Sequence, residues 1–173
     1  MPAAVDLPSF RSRPSFPKPT PQSAPVDLRR VRLFFPLATG ESLKELERQI
    51  PLRPNFADAV RAVLRELASN VPGARGPIPP ATEIRQVFLD SFGILYLDFS
   101  KEFLAATAPP APWPELAISA IVNSLTANFR EVKRVQFLVE GKEVPSMAGS
   151  WDLRRPVNPN FPGEETPPSG SRS

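Results

Sequence analysis

Two carboxylates, Asp90 and Asp98, bracket the stretch Ser91-Phe92-Gly93-Ile94-Leu95-Tyr96-Leu97. If they converged, such a pair could divide acid and base roles between them. That chemistry needs an activated third group, and the chain contains no His and no Cys. Their absence removes His-based triads, thiolate nucleophiles and zinc sites with Cys or His ligands. A plainer role is expected for each carboxylate: Asp90 favours a turn, and Asp98 sits on the exposed face of a strand. No catalytic residue, metal ligand or cofactor site is assigned.

The remaining candidates are binding residues. Arg130, Lys133 and Arg134 cluster where a helix should meet the last strand, with Arg154 and Arg155 further on. They could hold phosphate, an anionic lipid or a cell-wall polymer, or could simply complement a helix C-terminus and stay solvated. Phe34, Phe88, Tyr96 and Trp151 could form an aromatic platform for a partner or a glycan, or could cover the second face of a sheet. Arg32 shares the alternating face of Phe34. The candidate interaction surface is therefore Arg32, Phe34, Phe88, Tyr96, Arg130, Lys133, Arg134 and Trp151. Nucleic acid is not expected as a partner. The formal net charge is only +3, and Lys133-Arg134-Val135-Gln136-Phe137 lacks the Gly-aromatic pattern of an RNA-recognition strand.

Regular elements must position these groups. Val31, Leu33 and Phe35 alternate with Arg30, Arg32 and Phe34, which predicts a half-buried strand ending near Pro36. Leu43 to Leu52 is ambiguous: Leu43, Leu46 and Ile50 fit a helix, but Pro51 and Pro54 would stop it quickly. Asn55 to Asn70 reads as a helix. Asn55 caps it, Asp58 faces the positive end of its dipole, and Phe56, Val60, Val63, Leu64 and Leu67 form one apolar stripe. Glu83 to Leu89 and Ile94 to Phe99 read as strands joined by the turn Asp90-Ser91-Phe92-Gly93. Val87, Leu89, Leu95, Leu97 and Phe99 should face the core, leaving Phe88 and Tyr96 to pair on the other side.

Ser100 can cap a short turn through Lys101-Glu102-Phe103-Leu104. Pro114 suits the first position of a second helix, whose stripe is Ile118, Ile121, Val122, Leu125 and Phe129. Lys133 to Glu140 closes the domain as a strand with Val135, Phe137 and Val139 at period two; Gly141 then permits a positive φ. The fold expected is α+β, a two-layer sandwich. A mixed sheet of four or five strands carries two helices packed on one face.

The chain of 173 residues contains 24 prolines, crowded at the two ends. Residues 1–28 read as a proline-rich arm or linker, 29–158 as the folded domain and 159–173 as a disordered tail. Pro14-x-x-Pro17 could be read by a proline-recognising domain, but a semi-rigid spacer is the simpler role. No run of eighteen apolar residues occurs, and the start lacks the apolar core of a signal peptide.

Several patterns in order carry a family resemblance from about Arg30 to Val157. They are Val31-x-Leu33-Phe34-Phe35-Pro36, then Ile78-Pro79-Pro80-Ala81-Thr82-Glu83-Ile84-Arg85, and Leu97-Asp98-Phe99-Ser100-Lys101-Glu102-Phe103. Ile121-Val122-Asn123-Ser124-Leu125-Thr126 follows, then Val132-x-x-Val135-x-Phe137-Leu138-Val139-x-Gly141, and finally Gly149-Ser150-Trp151-Asp152-Leu153. Together they resemble the GerMN domain of bacterial sporulation and germination proteins. Ala81 stands where that family usually has glycine, and Ser150-Trp151 where it often has His.

The resemblance implies a strand at Leu43 to Leu52. It also implies a non-enzymatic, extracytoplasmic envelope module, similar to the ring-building motifs of secretion machinery and tethered by a lipid or an N-terminal helix. Partners implied are other envelope proteins or further copies of the same chain. A cell-wall polymer is the rival ligand. The membrane would be reached only through an anchor upstream of Met1, whereas a chain that starts at Met1 would be cytoplasmic.

Overall fold

The computed structural model describes residues 26–107, 113–144 and 152–161. The arm at 1–25, Trp151 and the tail beyond 161 lie outside the described residues. A long hairpin opens the fold: β1 (Leu28–Pro36) pairs antiparallel with β2 (Leu43–Pro51). The ambiguous second segment is thus a strand, stabilised by its ladder to β1 rather than by a helical stripe.

Helix α1 (Phe56–Leu67) follows, and the amide of Asp58 donates to Asn55 Oδ1 at 3.2 Å. Val60, Val63, Leu64 and Leu67 are fully buried, so the predicted cap and apolar stripe both form. Strands β3 (Ile84–Leu89) and β4 (Ile94–Phe99) make the second hairpin. A short turn of helix at Lys101–Phe103 leads into α2 (Leu104–Thr107). Ser100 does not cap that turn with its side chain. Its Oγ instead accepts from the Glu83 amide at 3.0 Å, closing the mouth of the hairpin.

Helix α3 (Pro114–Asn128) carries the chain back to β5 (Arg134–Val139), which lies parallel to β4, and β6 (Lys142–Glu143) pairs antiparallel with β5. A parallel neighbour requires such a long crossover, and α3 supplies it. Among the described residues the result is a mixed four-stranded sheet, β3-β4-β5-β6, and a separate two-stranded sheet, β1-β2. The α+β class holds, with the strands divided between two sheets.

Leu95, Leu97 and Phe99 of β4, with Val135 and Phe137 of β5, meet the stripes of α1 and α3 and Val31, Leu33 and Phe35 of β1 in one core. Phe103 stacks on Phe99 and Phe137 at centroid distances of 4.3 and 5.9 Å.

Helix α3 is buried on nearly all sides from Ala117 to Leu125. One side meets the core; another closes the free edge of β1. Ser124 Oγ accepts from the Phe34 amide at 2.9 Å, Asn128 Oδ1 accepts from the Arg32 amide at 2.9 Å, and Asn128 Nδ2 donates to the Arg32 carbonyl at 2.6 Å. Two side chains one helical turn apart therefore stand in for a neighbouring strand, and β1 has no bare edge there.

The segment 152–161 docks onto the same body. Val157 exchanges backbone hydrogen bonds with Val135, at 2.7 and 3.0 Å. Leu153 is fully buried, and its carbonyl accepts from Gln136 Nε2 at 3.0 Å. Buried Asn123 donates to the Asn160 carbonyl at 2.7 Å and accepts its amide at 2.9 Å, an amide side chain pairing like a strand residue. Asn160 and Phe161 are docked although they follow residue 158, because Asn123 and Phe34 bind them.

Candidate functional site

The outer face of the four-stranded sheet is where the sequence places its aromatic platform. Phe88 and Tyr96 sit opposite each other on β3 and β4, their ring centroids 6.1 Å apart. Phe88 is 62% exposed, Tyr96 is half-buried, and Phe92 at the hairpin tip is 77% exposed. Phe92 was not singled out by sequence, because a turn position carries no periodicity.

The tip is rigidly built. Asp90 Oδ1 accepts from the amides of Phe92 and Ile94, each at 2.9 Å, so this carboxylate folds the turn. Gly93 has φ +81° and its carbonyl accepts from the amides of Lys133 and Arg134 at 2.8 and 3.2 Å. A Cβ there would come within 2.7 Å of Lys133 Cγ. The exposed Phe92 therefore rides on a turn fixed both locally and by the approach to β5.

Phe34 does not join this platform. It is only 2% exposed, and its ring meets Phe161 edge-on at 5.8 Å. Alternation does direct it away from the core that Leu33 and Phe35 enter, but the segment ending at Phe161 packs over that side. Asp98 is likewise misplaced by the alternation argument. It is 5% exposed, because the β5-β6 turn folds over it: Asp98 Oδ1 accepts from the Gly141 amide at 2.8 Å, and Arg85 stands 3.8 Å away. Glu140 and Gly141 have φ of 52° and 76°, the conformation of a tight two-residue hairpin. Asp90 and Asp98 are thus each committed to a turn.

Arg32 is on β1, where it forms a bidentate pair with Glu45 of β2, at 2.6 and 3.1 Å. The hydrogen bond from Arg32, aided by its charge, holds the Glu45 carboxyl below the usual carboxylate range. The basic cluster does not converge. Lys133 leans over Gly93, and Arg134 sits on the sheet beside Ile94, its register partner. Arg130 instead lines a cleft with Arg29 and Arg53, neither of which the sequence reading selected. Among the described residues no group of three His, Cys, Asp or Glu side chains is arranged to hold a metal ion.

At the sheet edge, β3 carries an irregularity between Ile84 and Gln86 that breaks its ladder. Such bulges discourage another strand from adding at the edge. The open part of this region is consequently its face, formed by Phe88 and Tyr96 with Ile94 and Arg134 beside them, and the exposed tip at Phe92.

The fold is shared with solved structures. The tandem GerMN domains of the sporulation protein GerM from Bacillus subtilis align with a TM-score of 0.57 and 18% identity, over 80% of this chain and 50% of that one. The first GerMN domain of the same protein aligns with a TM-score of 0.55 and 18% identity, over 77% of this chain and 96% of that domain. The chain thus spans half of the tandem structure but nearly all of the single domain. No curated protein sequence matches it significantly. A family model described as Germane, sporulation and spore germination, matches residues 32–145, from β1 past the end of β6. With the second half of β1, both long helices and the mixed sheet inside that match, the chain belongs to the Germane family of sporulation and spore germination domains.

Proposed function

We propose that the chain is a non-enzymatic binding domain acting on the outer side of the cytoplasmic membrane, where it docks another envelope protein on the open half of its sheet face. The observation that carries this reading is the exposure of Phe88 and Phe92 beside Tyr96 on a rigid hairpin. Aromatic residues on ordered backbone supply large contact area at little entropic cost, and such residues dominate interface energetics. The engagement of Asp90 and Asp98 in turn hydrogen bonds supports a binding role over a hydrolytic one. Membership of a sporulation and germination family supports the extracytoplasmic setting.

The test uses the protein expressed from its natural locus with a photo-crosslinking residue in place of Phe88. A discrete crosslinked protein partner, lost on Tyr96→Ala or Phe92→Asp while the melting temperature holds, is the expected outcome. Binding should fall at least about tenfold for either substitution if these are central contacts. A partner retained at full strength by both variants excludes this face. Protease accessibility of the same tagged protein checks the location: cleavage only after the outer barrier is opened is expected, and protection behind an intact cytoplasmic membrane refutes the setting.

A further inference from the structure

The start of β1, the β2–α1 connection and the end of α3 line a cleft of about 430 Å³. Arg29, Arg53 and Arg130 line it, against one carboxylate, Glu131, and the rings of Phe56 and Phe129 lie in its wall. These two rings meet edge-on at 5.4 Å.

The three guanidinium groups differ from their neighbours. On the same hairpin, Arg30 meets Glu47 at 3.7 Å, Arg32 meets Glu45 at 2.6 Å and Arg48 meets Glu66 at 2.7 Å. Arg61 of α1 meets Asp58 at 3.5 Å. Arg29, Arg53 and Arg130 form no ion pair with any carboxylate of the described residues. Register explains part of this. The β2 residue opposite Arg29 is Ile50, and Arg53 lies beyond the end of the ladder. Arg29 is nevertheless held in place: its guanidinium donates to the Asn128 carbonyl and sits 4.9 Å from the centroid of the Phe129 ring. One donor fork is thus preorganised, and two exposed ones can close on a ligand from the other walls.

We propose that this cleft binds a phosphate group, either free in solution or carried as a lipid headgroup. Three guanidinium groups exceed what one carboxylate can engage, whereas a phosphate offers three outward oxygens and up to two negative charges to separate forks. The first turn of α1 borders the cleft through Phe56 and Ala59, so its dipole adds to the same field. The site uses side chains other than those of the aromatic face and goes beyond the docking role assigned to that face.

The experiment titrates the full chain with inorganic phosphate at constant ionic strength, followed by amide NMR. Saturable shifts confined to Phe56, Phe129, Arg130 and their neighbours are expected. Arg53→Gln combined with Arg130→Gln should weaken binding by about tenfold or more, with Arg65→Gln, which lies outside the cleft, as the unaffected control. Both targets are exposed, and Arg53→Gln alone serves if the double variant melts early. Vesicles of phosphatidylcholine containing phosphatidic acid, whose headgroup is a phosphomonoester, distinguish the sources. Co-sedimentation that the double variant loses assigns a lipid headgroup; phosphate binding without it assigns a soluble ligand. Shifts spread over the whole surface, equal binding of acetate, or full binding by the double variant would overturn the proposal.

Discussion

The two halves of one sheet face are treated differently by the chain itself. Around β5, Gln136 is buried, its Nε2 donating to the carbonyl of buried Leu153, and the same segment goes on to pair Val157 with Val135. Around the β3–β4 hairpin no such cover exists among the described residues, and Phe88, Tyr96 and Phe92 meet solvent. Both halves carry side chains suited to contact. The difference is that the first has its partner in cis, through backbone hydrogen bonds and one buried leucine. The second offers aromatic area without backbone groups to satisfy, which suits a contact that forms and dissolves.

Substitutions on either side can break this contrast. Leu153→Ala empties a fully buried position and should destabilise the domain by ~2–5 kcal/mol, whereas Phe88→Ala should stay within about 0.5 kcal/mol. Urea melts of the two variants check both values, and comparable losses would mean that the hairpin face is structural. A smaller effect is expected where the covering segment meets α3. Asn123→Ala removes both hydrogen bonds to Asn160 and should cost ~1–3 kcal/mol. Amide exchange should then quicken at Asn160 before the sheet, if 152–161 opens as a local unit.

The smallest effect belongs to the exposed Arg32–Glu45 pair. Because the folded-state Glu45 carboxyl titrates below its ordinary range, its stabilisation is complete above the unfolded pKa and disappears as pH falls through the depressed folded value. Both side chains are largely exposed, so the amount is at most ~1 kcal/mol. Comparing melts of the native protein and Glu45→Gln from neutral pH into the acid range checks the sign: the gap should narrow as pH falls.

Much of this architecture was legible because it is local. The Asn55 cap, the stripe of α1, the Asp90 turn and the period-two core positions of β4 and β5 each lie within one element, where helix and strand periods differ plainly. The errors came from a third layer. Phe34 does point away from the inner core, yet Phe161 covers it, and Asp98 points outward until the Glu140–Gly141 turn folds back. The sequence carries no separate signal for Ser124 and Asn128, although their spacing matches successive outward groups of β1. The cleft was harder still: Arg29 comes from β1 and Arg53 and Arg130 from two separate connections, and only topology brings them together. Periodicity reports which way a side chain leaves its backbone; it does not report what waits there.

The docked segment also dictates when the domain can be finished. Leu153, Val157, Asn160 and Phe161 complete contacts whose other halves lie on α3, β5 and even β1. A chain emerging N-terminus first can form the β1–β2 hairpin and α1 early, but it cannot seal Phe34 or pair Asn123 until residue 161 is free. During synthesis, Asn123 of α3 and the Phe34 ring therefore wait for their partners until the end of the domain arrives.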